Sequence, residues 1–513
     1  MIETLELWPL IEQRARATPG ERFAVDESGA ELSFEEFRDA CARCAAGLRE
    51  LGIGQGTSVS WQLPTRFDAL ILVGALARLG AVQNPILPML RAREVGFITR
   101  QSSARFLVVA GVFRGFDHGA MAREIGREQD DLQVLVADGS LPQGDPSVLP
   151  AAPPLSRESA PVRWVFYSSG TTAEPKGARH TDLSVGAPGR ALCSALELGP
   201  DDRNALVFPL THVGGINWFF AGLIAGFAQI VVEAFDSART ADVLARHGVT
   251  CAGAGTVFHQ SYLAEQRRRG SAPLFPRIRS FPGGGAPKPP QLHYELKAEL
   301  GGAGIVSGYG LTEHPIAVMG TVQDPDEKLA LTEGRATPGT ELRIVSLTTG
   351  ETGRGTEGEV CLRGPHLFRG YVDPALDENA FDEAGWFRTG DLGYLDKDGH
   401  LIITGRLKDV IIRKGENLSA KELEDHLYEH PKVRDVAVVG LPDPVSGERA
   451  CAVVVPVDPN DAVRLEELAL FLEARGLARQ KIPEQLEITT ELPRNASGKV
   501  LKRELQSRYG LTS

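Results

Sequence analysis

Cysteine is scarce in this chain of 513 residues: six are scattered along it, and only Cys41 and Cys44 form a CxxC pair. No second pair or nearby histidine cluster completes a zinc set, and the i, i+3 spacing in an alanine-rich segment suits half-buried core thiols on a helix. The thiols are therefore expected to be reduced, as in a cytoplasmic protein. Positive charge is also in deficit, with 55 Lys and Arg against 67 Asp and Glu and a formal net charge of −12. That balance argues against a broad nucleic-acid surface. The one basic run, Arg267-Arg268-Arg269 before Gly270, reads as the end of a surface helix, where cations favour the dipole and glycine caps. The N-terminus, Met1-Ile2-Glu3-Thr4-Leu5-Glu6, lacks the basic-then-apolar pattern of a signal peptide, so no export is expected. One segment, 214–232, carries no charge over nearly the length of a membrane span. Asn217, Gln229 and several glycines interrupt it, and Ile230-Val231-Val232 looks like a new strand, so a buried helix followed by a buried strand is expected, with no integral membrane segment.

What is present is ordinary globular composition, 42% hydrophobic and 24% charged, in a length that allows two to four domains. Ser33 with Glu36 three residues later reads as the capped start of a helix running to about 51, where Gly52 and Gly54 stop it. Strand-like 58–63, a nearly all-apolar helix over 69–79 and a strand over 80–84 follow. The alternation recurs at 205–209, 218–226, 229–232 and 240–247, so the first 300 or so residues read as doubly wound α/β layers. A proline-rich stretch, 142–159, reads as a surface connection. After about Gly334 the pattern changes to short β segments (341–345, 358–362, and 394–403 broken at Asp398-Gly399), which suits a small antiparallel, barrel-like unit. From 405 a tail of about a hundred residues has its own helices (420–429, 465–476) and strands (433–439, 450–457). The expected division is therefore 1–404 and 405–513.

Chemistry-bearing residues concentrate in loops. Val162, Trp164 and Phe166 alternate as a strand, then Tyr167-Ser168-Ser169-Gly170-Thr171-Thr172-Ala173-Glu174-Pro175-Lys176-Gly177 supplies glycine, hydroxyls and a lysine. Such a loop suits a polyphosphate, with backbone N–H groups, hydroxyl donors and one positive charge, though it is not the GxxxxGK[ST] type. Four further patches stand out. They are Pro209 through Gly215 with His212 in it, Gly283-Gly284-Gly285-Ala286-Pro287, Ser307-Gly308-Tyr309-Gly310-Leu311-Thr312-Glu313, and the set Thr389-Gly390-Asp391, Gly405-Arg406 and Asn495-Ala496-Ser497-Gly498-Lys499. An aromatic ring can cover a base, a hydroxyl can touch a phosphate, a carboxylate can hold Mg²⁺ or ribose hydroxyls, and a lysine can meet developing negative charge. Taken singly, each patch is more often a solvated turn or a surface charge than a site, and a lone histidine such as His212 is more often a hydrogen-bonded structural residue.

In this order the combination resembles the adenylate-forming superfamily of acyl-CoA synthetases, luciferases and peptide-synthetase adenylation domains, over about 32–502. The matching residues are Ser168 to Thr172 through Pro175-Lys176-Gly177, Tyr309 to Glu313, Thr389-Gly390-Asp391, Gly405-Arg406-Leu407-Lys408-Asp409 and Ser497-Gly498-Lys499. The resemblance implies a large N-terminal domain of layered α/β sheets with a small barrel-like unit, then a small mobile α+β C-terminal domain. It implies an ATP-dependent carboxylic acid–CoA ligase that uses ATP, Mg²⁺ and CoA. In that family pattern Ser168, Ser169, Gly170, Thr171, Thr172 and Lys176 hold phosphates; Gly284, Gly285, Ala286 and Pro287 enclose adenine with Ser307, Gly308, Tyr309 and Gly310. Thr312 contacts the α-phosphate, Glu313 ligates Mg²⁺, and Asp391 and Arg406 hold the ribose. Lys499 bridges the acid and the α-phosphate, Lys408 is the hinge, Lys414 and Gly415 belong to the face presented in a second half-reaction, and His212 gates or lines the acyl pocket. Ala173, where glycine is usual, and Gly255 before Thr256, where proline is more usual, depart from the pattern without removing a catalytic group.

The expected acyl lining, 212–215, Trp218, 253–256, 283–285 and 315–318, is apolar and small, with no carboxylate to pair a substrate ammonium. A hydrophobic acid (alicyclic, medium-chain, steroid or aryl) is therefore favoured. The segments 84–88 and 113–117 look like the subgroup acting on alicyclic or medium-chain acids. Expected partners are the small-molecule acid, ATP and CoA, with no nucleic acid; a homodimer is compatible with the sequence. The alternatives are an acyl-AMP ligase that loads a separate carrier protein, and a non-catalytic nucleotide-binding module.

Overall fold

The computed structural model describes residues 1–152, 160–168, 175–270, 272–286, 288–350, 352–353, 355–413, 416–444, 446–495 and 498–510, the side chains of 416 and 417 apart. It has a large N-terminal domain and a small C-terminal one, and the layered α/β reading holds. Among the described residues a six-stranded sheet runs in the order Lys176–His180, Trp164–Ser168, Val82–Pro85, Ser58–Gln62, Phe106–Ala110, Gln133–Ala137, parallel except for its first pair. A second sheet orders Arg203–Leu206, Ala228–Val231, Arg22–Asp26 and Glu31–Ser33. Strands buried on both faces of parallel sheets need continuous apolar runs, and Phe106–Ala110 (FLVVA) is buried at every position.

The helices form where the sequence caps them. Ser33 Oγ accepts from the Glu36 N–H at 3.2 Å while the Glu36 carboxylate accepts from the Ser33 N–H at 2.9 Å, a reciprocal cap worth about 1 kcal/mol at the start of Phe34–Glu50. The uncharged stretch resolves as the helix Val213–Ala225, a left-handed Gly226, and the strand Ala228–Val231. No helix among the described residues is long and apolar enough to cross a membrane. The basic run closes the helix Thr256–Arg269 as expected, and all six cysteines are buried.

Two connections follow from strand pairing. The hydroxyl-rich loop leaves the strand Trp164–Ser168, as expected, and that strand pairs antiparallel with Lys176–His180, Ser168 opposite Lys176. Glu313 also sits in a two-residue hairpin connection: Ile305–Leu311 and His314–Met319 pair with Leu311 opposite His314, leaving Thr312 and Glu313 at the tip. That pair belongs to a third sheet, ordered Phe281–Gly284, Ile305–Leu311, His314–Met319, Arg335–Ala336.

The barrel-like unit is an antiparallel sheet of Glu341–Val345, Gly358–Arg363, Phe387–Leu395 and Leu401–Arg406, in which Asp391 lies directly opposite Arg406. Its last strand runs across the 404/405 junction, and the C-terminal sheet starts at Val410. That sheet orders Glu416–Ser419, Val410–Arg413, Gly447–Pro456 and Val433–Asp443, with Gln485–Ile488 alongside Gly447–Pro456. Leu423, Leu427, Val438, Val454, Leu468 and Leu472 build its own core.

Gly334 lets the chain turn into Arg335–Ala336 at φ 96°, and a Cβ there would lie 2.0 Å from the Gly320 nitrogen and the Met319 carbonyl carbon. Gly334→Ala is expected to cost about 2–4 kcal/mol, ~1–2 of it from the left-handed backbone and the rest from displacing the neighbouring strand. Urea denaturation measures this, and an unchanged midpoint would contradict the close approach.

Candidate functional site

Three sheets and the C-terminal loop bring the sequence-selected residues to one place. Tyr309, on the middle of its sheet, donates its hydroxyl proton to Asp391 Oδ2 at 2.8 Å, and Arg406 Nε pairs with Asp391 Oδ1 at 2.7 Å. Asp391 is 3% exposed, so its charge needs both partners. Burial and the adjacent carboxylate push the Tyr309 phenol well above its ordinary pKa, which keeps it a donor. The glycine wall lies beside this ring: Gly284 pairs with Gly308, and a Cβ on Gly284 would stand 2.8 Å from the Gly308 oxygen. Gly285 and Ala286 retain access to solvent, Ser307 is buried behind them, and Gly310 continues the strand.

Lys499 reaches the same cluster from the C-terminal unit. Its amine is pushed down to about 8 by burial and by Arg406, against the opposing pull of Asp391 and Asp409. The loop that carries it closes on itself, with the Lys499 N–H donating to Asn495 Oδ1 at 2.9 Å and the Asn495 N–H donating to the Lys499 oxygen at 2.9 Å. A Cβ on Gly498 would lie 3.2 Å from Val257 Cγ2, so this loop rests on the helix Thr256–Arg269. The Gln260 amide also donates to the Tyr428 hydroxyl across the same junction. Lys408 is lowered first by burial and then by Lys176, Arg503 and Arg406. Cations from both units thus press on one another around a common space, an arrangement that a polyanion relieves.

Beside the strand that follows the hydroxyl-rich loop, Lys176 Nζ stands 5.6 Å from the centroid of the Tyr371 ring, and Tyr371 donates its hydroxyl proton to Glu313 Oε1 at 2.6 Å. Glu313 is 8% exposed and, among the described residues, has no Lys or Arg ion pair. A buried carboxylate so placed fits a hard cation. Mg²⁺ is commonly held by one or two carboxylates together with phosphate oxygens and water, and Glu313 would supply one such carboxylate. Ser168 ends its strand at this mouth. Ser169, Gly170, Thr171, Thr172, Pro287, Lys414 and Gly415, together with the departure at Ala173, lie outside the described residues.

His212 has two roles in the structure. It is the N-cap of Val213–Ala225, where Nδ1 accepts the Gly214 N–H at 3.1 Å, and burial lowers its pKa to about 4. The imidazole is therefore neutral near pH 7 and contributes shape and a cap. It also lines an apolar cleft with Ile86, Leu87, Leu90, Tyr167 and Thr312, without a charged side chain among the described residues that form it. Trp218, expected in the acyl lining, is packed in the main core. The residues 113–117 form part of a surface hairpin, Val112–Phe113 with Phe116–Asp117.

Sequence reasoning missed two residues here. His180 donates from Nε2 to the Thr312 carbonyl at 2.8 Å while its Nδ1 accepts from Ser184 at 2.9 Å, and burial lowers its pKa to about 4. It fixes the Glu313 turn against the strand that follows the phosphate loop. Tyr371 is the other, and neither residue lies in a periodic or glycine-rich pattern that would have singled it out.

The comparisons with known proteins agree with this geometry. Residues 11–372 match the model of the AMP-binding enzyme family, and 422–499 match that of the AMP-binding enzyme C-terminal domain. The medium-chain fatty-acid–CoA ligase of Escherichia coli (strain K12) is 30% identical over 502 residues, 96% of this chain and 88% of that protein. The salicyl-AMP ligase/salicyl-S-ArCP synthetase of Mycobacterium tuberculosis is 33% identical over 532 residues, 98% of this chain and 91% of that protein. The crystal structure of ATP-bound MatB from Rhodopseudomonas palustris superimposes with a TM-score of 0.88 at 26% identity, covering 99% of each chain. The chain belongs to the AMP-binding enzyme family of adenylate-forming ligases, on its acyl-CoA synthetase branch.

Proposed function

We propose that this enzyme joins a hydrophobic carboxylic acid to CoA in two steps. In the first, a carboxylate oxygen attacks the α-phosphorus of ATP, forming the acyl-adenylate bond as the bond to pyrophosphate breaks. In the second, the CoA sulfur attacks the acyl carbon, AMP leaves, and the thiol proton passes to solvent. The observation that carries the reading is the approach of Lys499 to the Asp391–Arg406 pair beside Tyr309.

The first step needs no general base, because a carboxylate is ionised at neutral pH. It needs alignment and charge compensation. Asp391 accepts from the ribose hydroxyls and Arg406 steadies it; Lys176 and the phosphate loop hold the β- and γ-phosphates; Thr312 contacts the α-phosphate. Mg²⁺ held by Glu313 supplies further neutralisation of the phosphates when bound. Lys499 as an ammonium meets the charge that develops between acid and α-phosphate. For the second step the 405–513 domain turns about Lys408, withdrawing Lys499 and presenting the face of Lys414 and Gly415.

The uncharged cleft beside His212 and Thr312 supports an apolar chain at the reacting atoms, and the medium-chain fatty-acid–CoA ligase relative supports a fatty or alicyclic acid. A second reading, transfer of the acyl group to a carrier protein's phosphopantetheine, is favoured by the salicyl-AMP ligase relative.

Pyrophosphate release is expected with medium-chain or alicyclic acids and acyl-CoA is expected as product, measured over a panel of fatty, alicyclic, aryl and steroid acids. Release without any CoA thioester, but with loading of a phosphopantetheinyl carrier, would replace the first reading by the second. No release with any acid would contradict both. A pH profile tests the lysine. With its pKa lowered to about 8, the free enzyme loses the ammonium above that pH, so kcat/KM for ATP in the first step should fall about tenfold per pH unit there. Lys499→Arg, charged throughout, should abolish that limb even if its rate is lower. Persistence of the limb in the variant would assign it to another group.

A further inference from the structure

We propose that Tyr371 is a positioning residue for the metal–phosphate end of the nucleotide site, its hydroxyl fixing the Glu313 carboxylate and its ring seating the Lys176 ammonium. The inference rests on the reading of Glu313 as the cation ligand and Lys176 as the phosphate partner.

Residues 369–372 run as an extra edge beside Lys176–His180. The Arg369 N–H donates to the Arg179 oxygen at 2.7 Å, the Arg179 N–H to the Gly370 oxygen at 3.1 Å, and the Val372 N–H to the Gly177 oxygen at 2.8 Å. Tyr371 is thereby tied to the strand that carries Lys176. Its own N–H donates to Asp377 Oδ1 at 2.9 Å, and its ring packs on Phe368 with centroids 4.8 Å apart. Phe368 closes the other side, donating its N–H to the Glu313 carbonyl at 2.8 Å. Backbone and carboxylate of Glu313 are therefore both held by 368–371, in a region 4% exposed at Tyr371.

The choice of tyrosine has a physical logic. A lysine or arginine at this position would pair with Glu313 and cancel the charge a cation needs; a neutral O–H donor orients one oxygen and leaves the negative charge in place. A carboxylate beside Lys176 would likewise cancel its charge, whereas the face of an aromatic ring attracts an ammonium without neutralising it. One side chain thus orients two opposite charges and consumes neither.

Mn²⁺ titration by electron paramagnetic resonance, on the full chain complexed with a non-hydrolysable ATP analogue, separates the two contacts. Tyr371→Phe keeps the ring and should weaken Mn²⁺ about tenfold, in line with the loss of a ligand's outer partner, while analogue affinity at saturating Mn²⁺ is unchanged. Tyr371→Leu should lose the same Mn²⁺ affinity and, in addition, about 2- to 5-fold of the analogue affinity. Wild-type Mn²⁺ affinity in Tyr371→Phe, with Glu313→Gln strongly impaired, would overturn the role of Tyr371 and leave the Glu313 assignment standing. Wild-type Mn²⁺ affinity in Glu313→Gln would overturn both. Tyr371→Phe removes one oxygen from a preserved core and decides the hydroxyl's part even if Tyr371→Leu fails to fold.

Discussion

The site depends on one buried carboxylate. Asp391 sits on the strand Phe387–Leu395, next to a register shift between Leu392 and Gly393, and is held from the neighbouring strand by Arg406 and from a different sheet by Tyr309. A carboxylate at 3% exposure is tolerated because a guanidinium and a phenol compensate it. Removing either partner would leave buried charge uncompensated, a loss of several kcal/mol in comparable cases. The same bonds join the barrel-like sheet to the sheet that carries Glu313. The geometry of Asp391 and that of Glu313 are therefore linked through the strand Ile305–Leu311.

Around this anchor the enzyme gathers cations that its own acids only partly balance. Lys176, Lys408, Arg406, Arg503 and Lys499 come from three separate stretches, and burial first, then neighbouring cations, Lys176, Arg503 and Arg406 for Lys408 and Arg406 for Lys499, lower the pKa values of the two lysines. Such an arrangement costs stability when empty and is offset by a bound polyphosphate, the usual exchange of fold stability for a preorganised site. The distribution also matters. Lys499 is delivered by a unit with its own core, which meets the helix Thr256–Arg269 at Gly498 and Tyr428.

Much of this was legible in the sequence because it lies in local signals. The Ser33–Glu36 cap, the helix and strand within 214–232, the 341–345 strand and the C-terminal tail's own core all follow from spacing and composition. Asp391, Arg406, Tyr309 and Lys499 were legible as a set through the family resemblance, although 190 residues and two sheets separate Tyr309 from Lys499. What was illegible depends on long-range pairing. The return of the phosphate loop as an antiparallel hairpin is set by Lys176 lying opposite Ser168. The Tyr371–Glu313 and His180–Thr312 bonds span 58 and 132 residues and leave no periodic trace. Trp218 was expected in the acyl lining, whereas the helix Val213–Ala225 is apolar and buried nearly all round and packs Trp218 into the main core.

In the proposed cycle Lys499 acts in adenylate formation alone and is carried away before thioester formation. Rapid-quench measurement of the two half-reactions in Lys499→Ala tests it most directly. A loss of about 10²- to 10³-fold in pyrophosphate release from acid and ATP is expected, with thioester formation from preformed acyl adenylate and CoA close to the unsubstituted rate. Equal loss in both half-reactions would contradict it.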